Sequence, residues 1–151
     1  MLTAEKFCAD SLAWLKGKRV LLIMNSSQEE RLGLKGWVEA LERAAASYSR
    51  LDGISSNPTV DDLLRSLYSV PSETPDVIVA VGGGSSIDMA KALSALWYLK
   101  SGEVARSDVL SCIVNKQYLT AKTRMPVCGI PTTAGTGSEV TKWATIWDPQ
   151  G

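Results

Sequence analysis

The segment GGGSSIDMAK, Gly82–Lys91, follows directly on the apolar run VIVAV. Glycines at the end of a buried strand let the backbone come close to a ligand and take up conformations closed to other residues. If a helix begins here, its first amides are unpaired and point back into the loop, with the positive end of the helix dipole behind them. Ser85 and Ser86 add hydroxyl donors. The segment therefore reads as a cradle for a phosphate or pyrophosphate. The plainer reading is a tight strand-to-helix turn in which Ser85 caps the helix and Asp88 completes a capping-box-like arrangement. The two readings can coexist.

A second polar loop, IPTTAGTGSEVTK (residues 130–142), follows the short apolar run VCGI. Thr132, Thr133, Thr136 and Ser138 offer hydroxyls, and Gly135 and Gly137 permit close approach. Thr136 and Glu139 have capping-box spacing, which by itself would explain both. Two such loops at one sheet edge favour a nucleotide ligand. Neither is a standard fingerprint. Read as G-x-G-x-x-G from Gly82, the last position is Ile87, and no acid ends a further strand some twenty residues on. A Gly-Lys-Ser/Thr phosphate loop is absent.

These loops need elements to carry them. RVLLIM (residues 19–24) and DVIVAV (residues 76–81) have the composition of parallel strands buried on both faces, and VCGI (residues 127–130) is a weaker third. Between them the pattern predicts helices over residues 29–46, 59–67 and 87–99, the second opening with acids in its first turn. Strands alternating with helices predict an α/β fold with a parallel sheet flanked by helices, which binds ligands beyond the carboxyl ends of its strands. The C-terminal TKWATIWDPQG reads as a strand, with Trp143, Thr145 and Trp147 on one face, followed by a turn at Asp-Pro-Gln-Gly. A returning strand is then expected, so residues 1–151 read as the front part of a longer protein.

Composition narrows the function classes. The 151 residues are enough for one ordinary domain. Sixteen basic and sixteen acidic residues balance, which leaves no electrostatic footprint for nucleic acid or an anionic membrane. No run approaches membrane-spanning length or signal-peptide form, so a cytoplasmic protein is expected. Cys8, Cys112 and Cys128 are widely spaced and are expected to be buried free thiols. There is no histidine, which removes His-based triads and most transition-metal sites.

At Gly82–Lys91 and Pro131–Glu139 the chain resembles the iron-containing (group III) alcohol dehydrogenase family. The family's segments GGGS-x-x-D-x-A-K and P-T-T-x-G-T-G-S-E are both matched, in order. Asn57–Pro58 resembles a third, weaker feature. The resemblance covers essentially the whole chain, as the N-terminal half of a family member. It implies a Rossmann-like dinucleotide-binding domain of dehydroquinate synthase-like architecture over residues 1–151, followed by an all-helical domain not in this chain. It also implies hydride transfer between NAD or NADP and a small alcohol, aldehyde or ketone.

By position, the resemblance implies that Gly83, Gly84 and Ser85 hold the pyrophosphate. Thr132, Thr133 and Thr136 would line the adenine and ribose side, and Asn57 would lie near the nicotinamide. Asn25 stands where NAD-preferring relatives often carry an aspartate. An amide has no charge to repel a 2′-phosphate, so NADP is admissible and slightly favoured. The family's metal, Fe2+ or Zn2+, is held by one aspartate and three histidines of the helical domain, so it is expected only in the full-length protein. This chain alone would bind cofactor without catalysis. A homo-oligomer, dimeric or larger, is expected. A stand-alone non-catalytic nucleotide-binding module remains an alternative reading, as does a glycerol dehydrogenase-like or dehydroquinate synthase-like enzyme.

Overall fold

The computed structural model describes residues 4–122 and 124–151. Four parallel strands form the sheet: β1 (Arg19–Ile23), β2 (Ser47–Leu51), β3 (Val77–Gly82) and β4 (Val127–Pro131), in the order β2-β1-β3-β4. Side chains alternate along each strand, so the sheet feeds two cores. Leu21, Ile23, Ile78 and Ala80 pack under α4 (Val60–Ser69), α5 (Gly84–Leu96) and α6 (Arg106–Val114). Val20, Leu22, Met24, Val77, Val79 and Val81 pack under α1 (Ala4–Leu15) and α3 (Lys35–Ala44). The result is the expected α/β fold, with a Rossmann-like parallel sheet between helices. Every residue of β3 is buried, which is why its sequence is uniformly apolar. Burying each of its larger side chains contributes roughly 1.5–3 kcal/mol.

The helix expected over residues 29–46 is two helices, α2 (Ser26–Leu32) and α3. Gly33 ends the first in the left-handed region (φ 64°), its N–H bonding back to the carbonyls of Glu29 and Glu30. The helix expected over 59–67 is α4. Thr59 and Asp62 cap it reciprocally: the Thr59 hydroxyl accepts from the Asp62 N–H (3.1 Å), and the Asp62 carboxylate accepts from the Thr59 N–H (2.8 Å). The third helix starts earlier than expected, at Gly84, and after Leu96 tightens into a 3-10 turn over Trp97–Ser101.

The C-terminal segment is not a strand of the sheet. Trp147 makes a single parallel bridge with Thr59, donating to the Pro58 carbonyl and accepting from the Val60 N–H, both at 2.9 Å. Upstream, α5 captures the backbone: Asp88 accepts from the Thr145 N–H (3.0 Å), and Lys91 Nζ donates to the Trp143 carbonyl (2.7 Å). These side chains take the backbone groups that a strand would have offered to a neighbour, and Trp143 and Trp147 are left exposed. The expected turn is present at Pro149–Gln150, with Asp148 accepting from the Gln150 N–H at 3.1 Å. The three cysteines are unpaired, Cys112 buried and Cys8 and Cys128 half-buried. Among the described residues, no helix is long and apolar enough to cross a membrane.

Candidate functional site

The strand order fixes where a ligand has room. From β1 the chain crosses to β2 on one side, then passes to β3 on the other, so the connections diverge between β1 and β3. Diverging connections leave a crevice at the carboxyl ends of such strands. The end of β1 carries Asn25, and the end of β3 carries the three glycines.

Space, not unusual dihedral angles, explains these glycines. None of Gly82, Gly83 and Gly84 has a positive φ, whereas Gly135 and Gly137 in the second loop do (86° and 64°). A Cβ on Gly82 would lie 2.4 Å from Ser86 Oγ, 2.7 Å from Ser86 Cβ and 2.9 Å from Gln28 Oε1. On Gly83 it would lie 3.1 Å from Thr133 Oγ1, and on Gly84 3.1 Å from Ser138 Oγ and 3.4 Å from Thr136 Cβ. The first glycine thus lets α5 fold back on its own strand. The other two face the second loop, which crosses directly over them.

That loop is tied down along its length. The Thr132 N–H donates to the Gly82 carbonyl at 2.9 Å. Further on, Lys91 Nζ also donates to the Thr141 hydroxyl at 3.2 Å, so that Asp88 and Lys91 together hold residues 141–145. The motif's acid and base therefore clamp one loop against the other. This was not foreseen from sequence, although their i, i+3 spacing on a helix signals a shared face. Asp88 is not a cap. Gly83 occupies the N-cap position of α5, without a side-chain cap, and the Ser85 hydroxyl instead accepts from the Asn57 N–H at 3.2 Å. Nor do Thr136 and Glu139 form a capping box. The short 3-10 turn Ser138–Val140 is preceded by Gly137 and has no side-chain cap.

Asn57 adopts a left-handed conformation (φ 54°), a strain that asparagine tolerates better than most residues. It brings the loop after β2 onto the first turn of α5. The Asn25 side chain pins the same loop from the other side. Its Nδ2 donates to the Ile54 carbonyl (2.9 Å), and its Oδ1 accepts from the Ile54 N–H (2.8 Å). All the residues singled out from the sequence (Asn25, Asn57, Gly83, Gly84, Ser85, Thr132, Thr133 and Thr136) thus sit on the loops or the first turn of α5 at this one edge of the sheet.

The chemistry of the edge suits an anion. The first turn of the 13-residue α5 carries no acid, unlike α4, where Asp61 and Asp62 already answer the dipole. The Thr132 hydroxyl is buried with no hydrogen-bond partner among the described residues and is a free donor here, whereas the equally unpaired Gln28 Oε1 is an acceptor and would suit a ligand hydroxyl rather than an anion. A cavity of about 260 Å³ lined by Leu67, Tyr68, Val70 and Lys100 lies elsewhere, at the C-terminal end of α4. There Lys100 Nζ donates to the carbonyls of Leu67 and Val70 and so caps the helix. A metal has no comparable place: among the described residues no group of three or more His, Cys, Asp or Glu could hold one.

Comparison with known proteins agrees with the geometry. Residues 4–151 match the family described as iron-containing alcohol dehydrogenase. Alcohol dehydrogenase 4 of Schizosaccharomyces pombe is 35% identical over 133 residues, 87% of this chain and 30% of that protein. The mitochondrial hydroxyacid-oxoacid transhydrogenase of Caenorhabditis elegans is 32% identical over 136 residues, 90% of this chain and 29% of that protein. The crystal structure of an iron-containing alcohol dehydrogenase from Thermotoga maritima superposes with a TM-score of 0.74 at 30% identity, covering 95% of this chain and 38% of that one. The chain thus spans about a third of the length of these relatives. With that match running nearly end to end and both glycine loops in place, the chain belongs to the iron-containing alcohol dehydrogenase family.

Proposed function

We propose that residues 1–151 are the NAD(P)-binding domain of a metal-dependent alcohol dehydrogenase. The observation that carries this is the side-chain-free surface at Gly83 and Gly84. It lies at the start of α5 and is bounded by Thr133, Thr136 and Ser138 so closely that a single Cβ would touch them. The amides of Gly84 and Ser85 belong to the helical first turn, whose N–H groups lack intrahelical acceptors. With the Ser85 hydroxyl they supply donors for a pyrophosphate. Thr132, Thr133 and Thr136 line the adenosine side, and Asn57, held on Ser85 by its own N–H, sits at the nicotinamide end.

Bound NAD(P) supplies a nicotinamide ring that accepts or gives a hydride. The part played by this chain is to hold and orient it. Asp88 and Lys91 keep the second loop closed over the first, so the cradle is preorganised before cofactor arrives. The two relatives' names describe oxidoreduction of alcohols and of hydroxyacids, which supports a small hydroxyl-bearing substrate and its carbonyl counterpart. The donors present here do not fit an iron or zinc ion: the chain has no histidine. In this proposal the metal's ligands come from outside residues 1–151, and no step is derived through it. The isolated chain then binds cofactor without turning over. A cytoplasmic setting and a homo-oligomeric state belong to the same proposal.

The test is titration with NADH and NADPH, following energy transfer from the five tryptophans to the reduced nicotinamide. Saturable binding that Gly84→Val abolishes, with the far-ultraviolet circular dichroism unchanged, is the expected result. A folded wild-type chain that binds neither cofactor, or a Gly84→Val chain that binds as well as wild type, overturns the proposal.

A further inference from the structure

We infer that two copies of this chain pair through the extended run 143–147, antiparallel about a twofold axis at Thr145, so that Trp143 of each copy packs on the partner's Trp147. The inference gives a surface to the homo-oligomer proposed above, and it stands apart from the nucleotide reading.

The run has one satisfied edge and one open edge. Its odd-numbered residues turn backbone groups to the body of the chain. The Trp143 carbonyl accepts from Lys91 Nζ (2.7 Å), the Thr145 N–H donates to Asp88 (3.0 Å), and Trp147 bonds through both its groups to Pro58 and Val60, each at 2.9 Å. In extended backbone the groups of alternate residues point to opposite sides. Those of Ala144 and Ile146 therefore face away from the body, and among the described residues they have no partner. An unpaired edge of this kind is a template for another strand. Side chains alternate as well. Ile146 packs against the core, whereas Trp143 and Trp147 are 67% and 54% exposed.

The residue pattern selects the strand that fits. Trp-Ala-Thr-Ile-Trp has tryptophans two residues to either side of Thr145 and apolar residues next to it, the self-complementary arrangement that an isologous contact needs. Antiparallel pairing makes Ala144 and the partner's Ile146 a hydrogen-bonded pair, each giving its N–H to the other's carbonyl. Thr145 then meets the partner's Thr145, and Trp143 the partner's Trp147, at non-hydrogen-bonded positions, where side chains lie closest. The indoles share one face, and aromatic cross-strand pairs stabilise such a contact.

Charge agrees with this register. It sets Lys142 beside the partner's Asp148, whereas parallel pairing would set lysine against lysine. The Lys142 ammonium lies over the Trp143 ring, 5.1 Å from its centroid. Asp148 gives Oδ1 to Arg106 and to the Gln150 N–H, which leaves Oδ2 for the lysine.

The experiment is sedimentation velocity on the 151-residue chain from about 1 to about 300 µM, with far-ultraviolet circular dichroism as a second readout. Wild type passes from monomer to dimer with a dissociation constant on the order of 10 µM, as suits so short an interface. It gains the exciton couplet of paired indoles as it does so. Thr145 is exposed, so its substitution leaves the fold intact. Thr145→Lys and Thr145→Glu put like charges face to face at the axis, and each weakens the dimer about tenfold or more. Mixed in equal amounts, the two variants dimerise to within about threefold of wild type, because a lysine then faces a glutamate. Ala144→Pro removes an N–H that the fold does not use, blocks the edge and stays monomeric. A folded wild-type chain that is monomeric throughout the range overturns the pairing and leaves the nucleotide reading standing. A dimer that neither Thr145→Lys nor Ala144→Pro weakens overturns this surface but keeps the homo-oligomer. Failure of the mixture to recover, with both variants folded, overturns the register that puts Thr145 on the axis.

Discussion

The three adjacent glycines have unequal jobs. Gly82 packs against its own helix: its missing Cβ would fall 2.7 Å from Ser86 Cβ, an atom fixed to the backbone of α5. Ser86 is buried and cannot swing aside. Gly82→Ala is therefore expected to cost about 1–3 kcal/mol of unfolding free energy, as overpacking does. Gly84→Ala meets only hydroxyl and methyl groups of Ser138 and Thr136 and gains helix propensity of up to about 1 kcal/mol. It should leave stability within about 1 kcal/mol of wild type while weakening nucleotide binding. Urea unfolding of both variants decides: equal losses would mean that Gly82 and Gly84 are interchangeable. The sequence made the cradle visible because glycine and hydroxyl residues cluster after an apolar run. It did not show what Ser85 and Asp88 do, since their partners, Asn57 and Thr145, are 28 and 57 positions away, and local spacing favoured caps instead.

At the scale of elements, legibility followed burial. β1 and β3 are buried along almost their whole length, so their apolar runs announced them. β2, with the sequence SYSRL, is an edge strand in which only Leu51 is buried; it has no pattern to read and was not anticipated. The alternating tryptophans of the C-terminal segment misled in the opposite direction, because an alternation signals a strand only if one face is buried, and both Trp143 and Trp147 are exposed. The amino ends of β1 and β3 are joined by a contact that pH can test. Arg19 offers its N–H and its guanidinium to Asp76 at 2.8 and 2.7 Å, and the Asp76 N–H donates to the Arg19 carbonyl at 2.9 Å. The Arg19 guanidinium and then its N–H hold the Asp76 carboxyl down, from 3.8 to about 2. A folded-state value below the unfolded one means stability that is fully present above about 4 and is lost as pH falls toward 2. Thermal melts between pH 5 and 2 should show a shallower acid decline in Asp76→Asn than in wild type. Parallel curves would show that the pair, which is solvent-exposed, contributes nothing.

At the scale of the whole molecule, the two ligands of a metal-dependent dehydrogenase separate. Every residue assigned to the cofactor lies on the loops after β1, β2, β3 and β4 or on the first turn of α5, whereas the chain, about a third of its relatives' length, has no histidine to give a metal. Stability should therefore respond to one ligand and not the other. A cofactor that binds only the native state stabilises it by RT ln(1 + [L]/Kd), about 2.7 kcal/mol at a hundredfold excess over Kd. For a domain of this size that raises Tm by about 5–10 °C. Added Fe2+ or Zn2+, or EDTA, should leave Tm where it was, because ions gain native-state affinity only from a folded ligand set. Differential scanning calorimetry with NADH, with metal and with chelator gives the three curves. A rise with NADH alone is the expected pattern. A Tm lowered by EDTA would mean that residues 1–151 hold a metal after all. A rise with NADH only when metal is also present would mean that the cofactor site is not complete within this fold. Both outcomes run against the division of labour drawn from the loops, in which the cradle is finished by Thr133, Thr136 and Ser138 closing over Gly83 and Gly84.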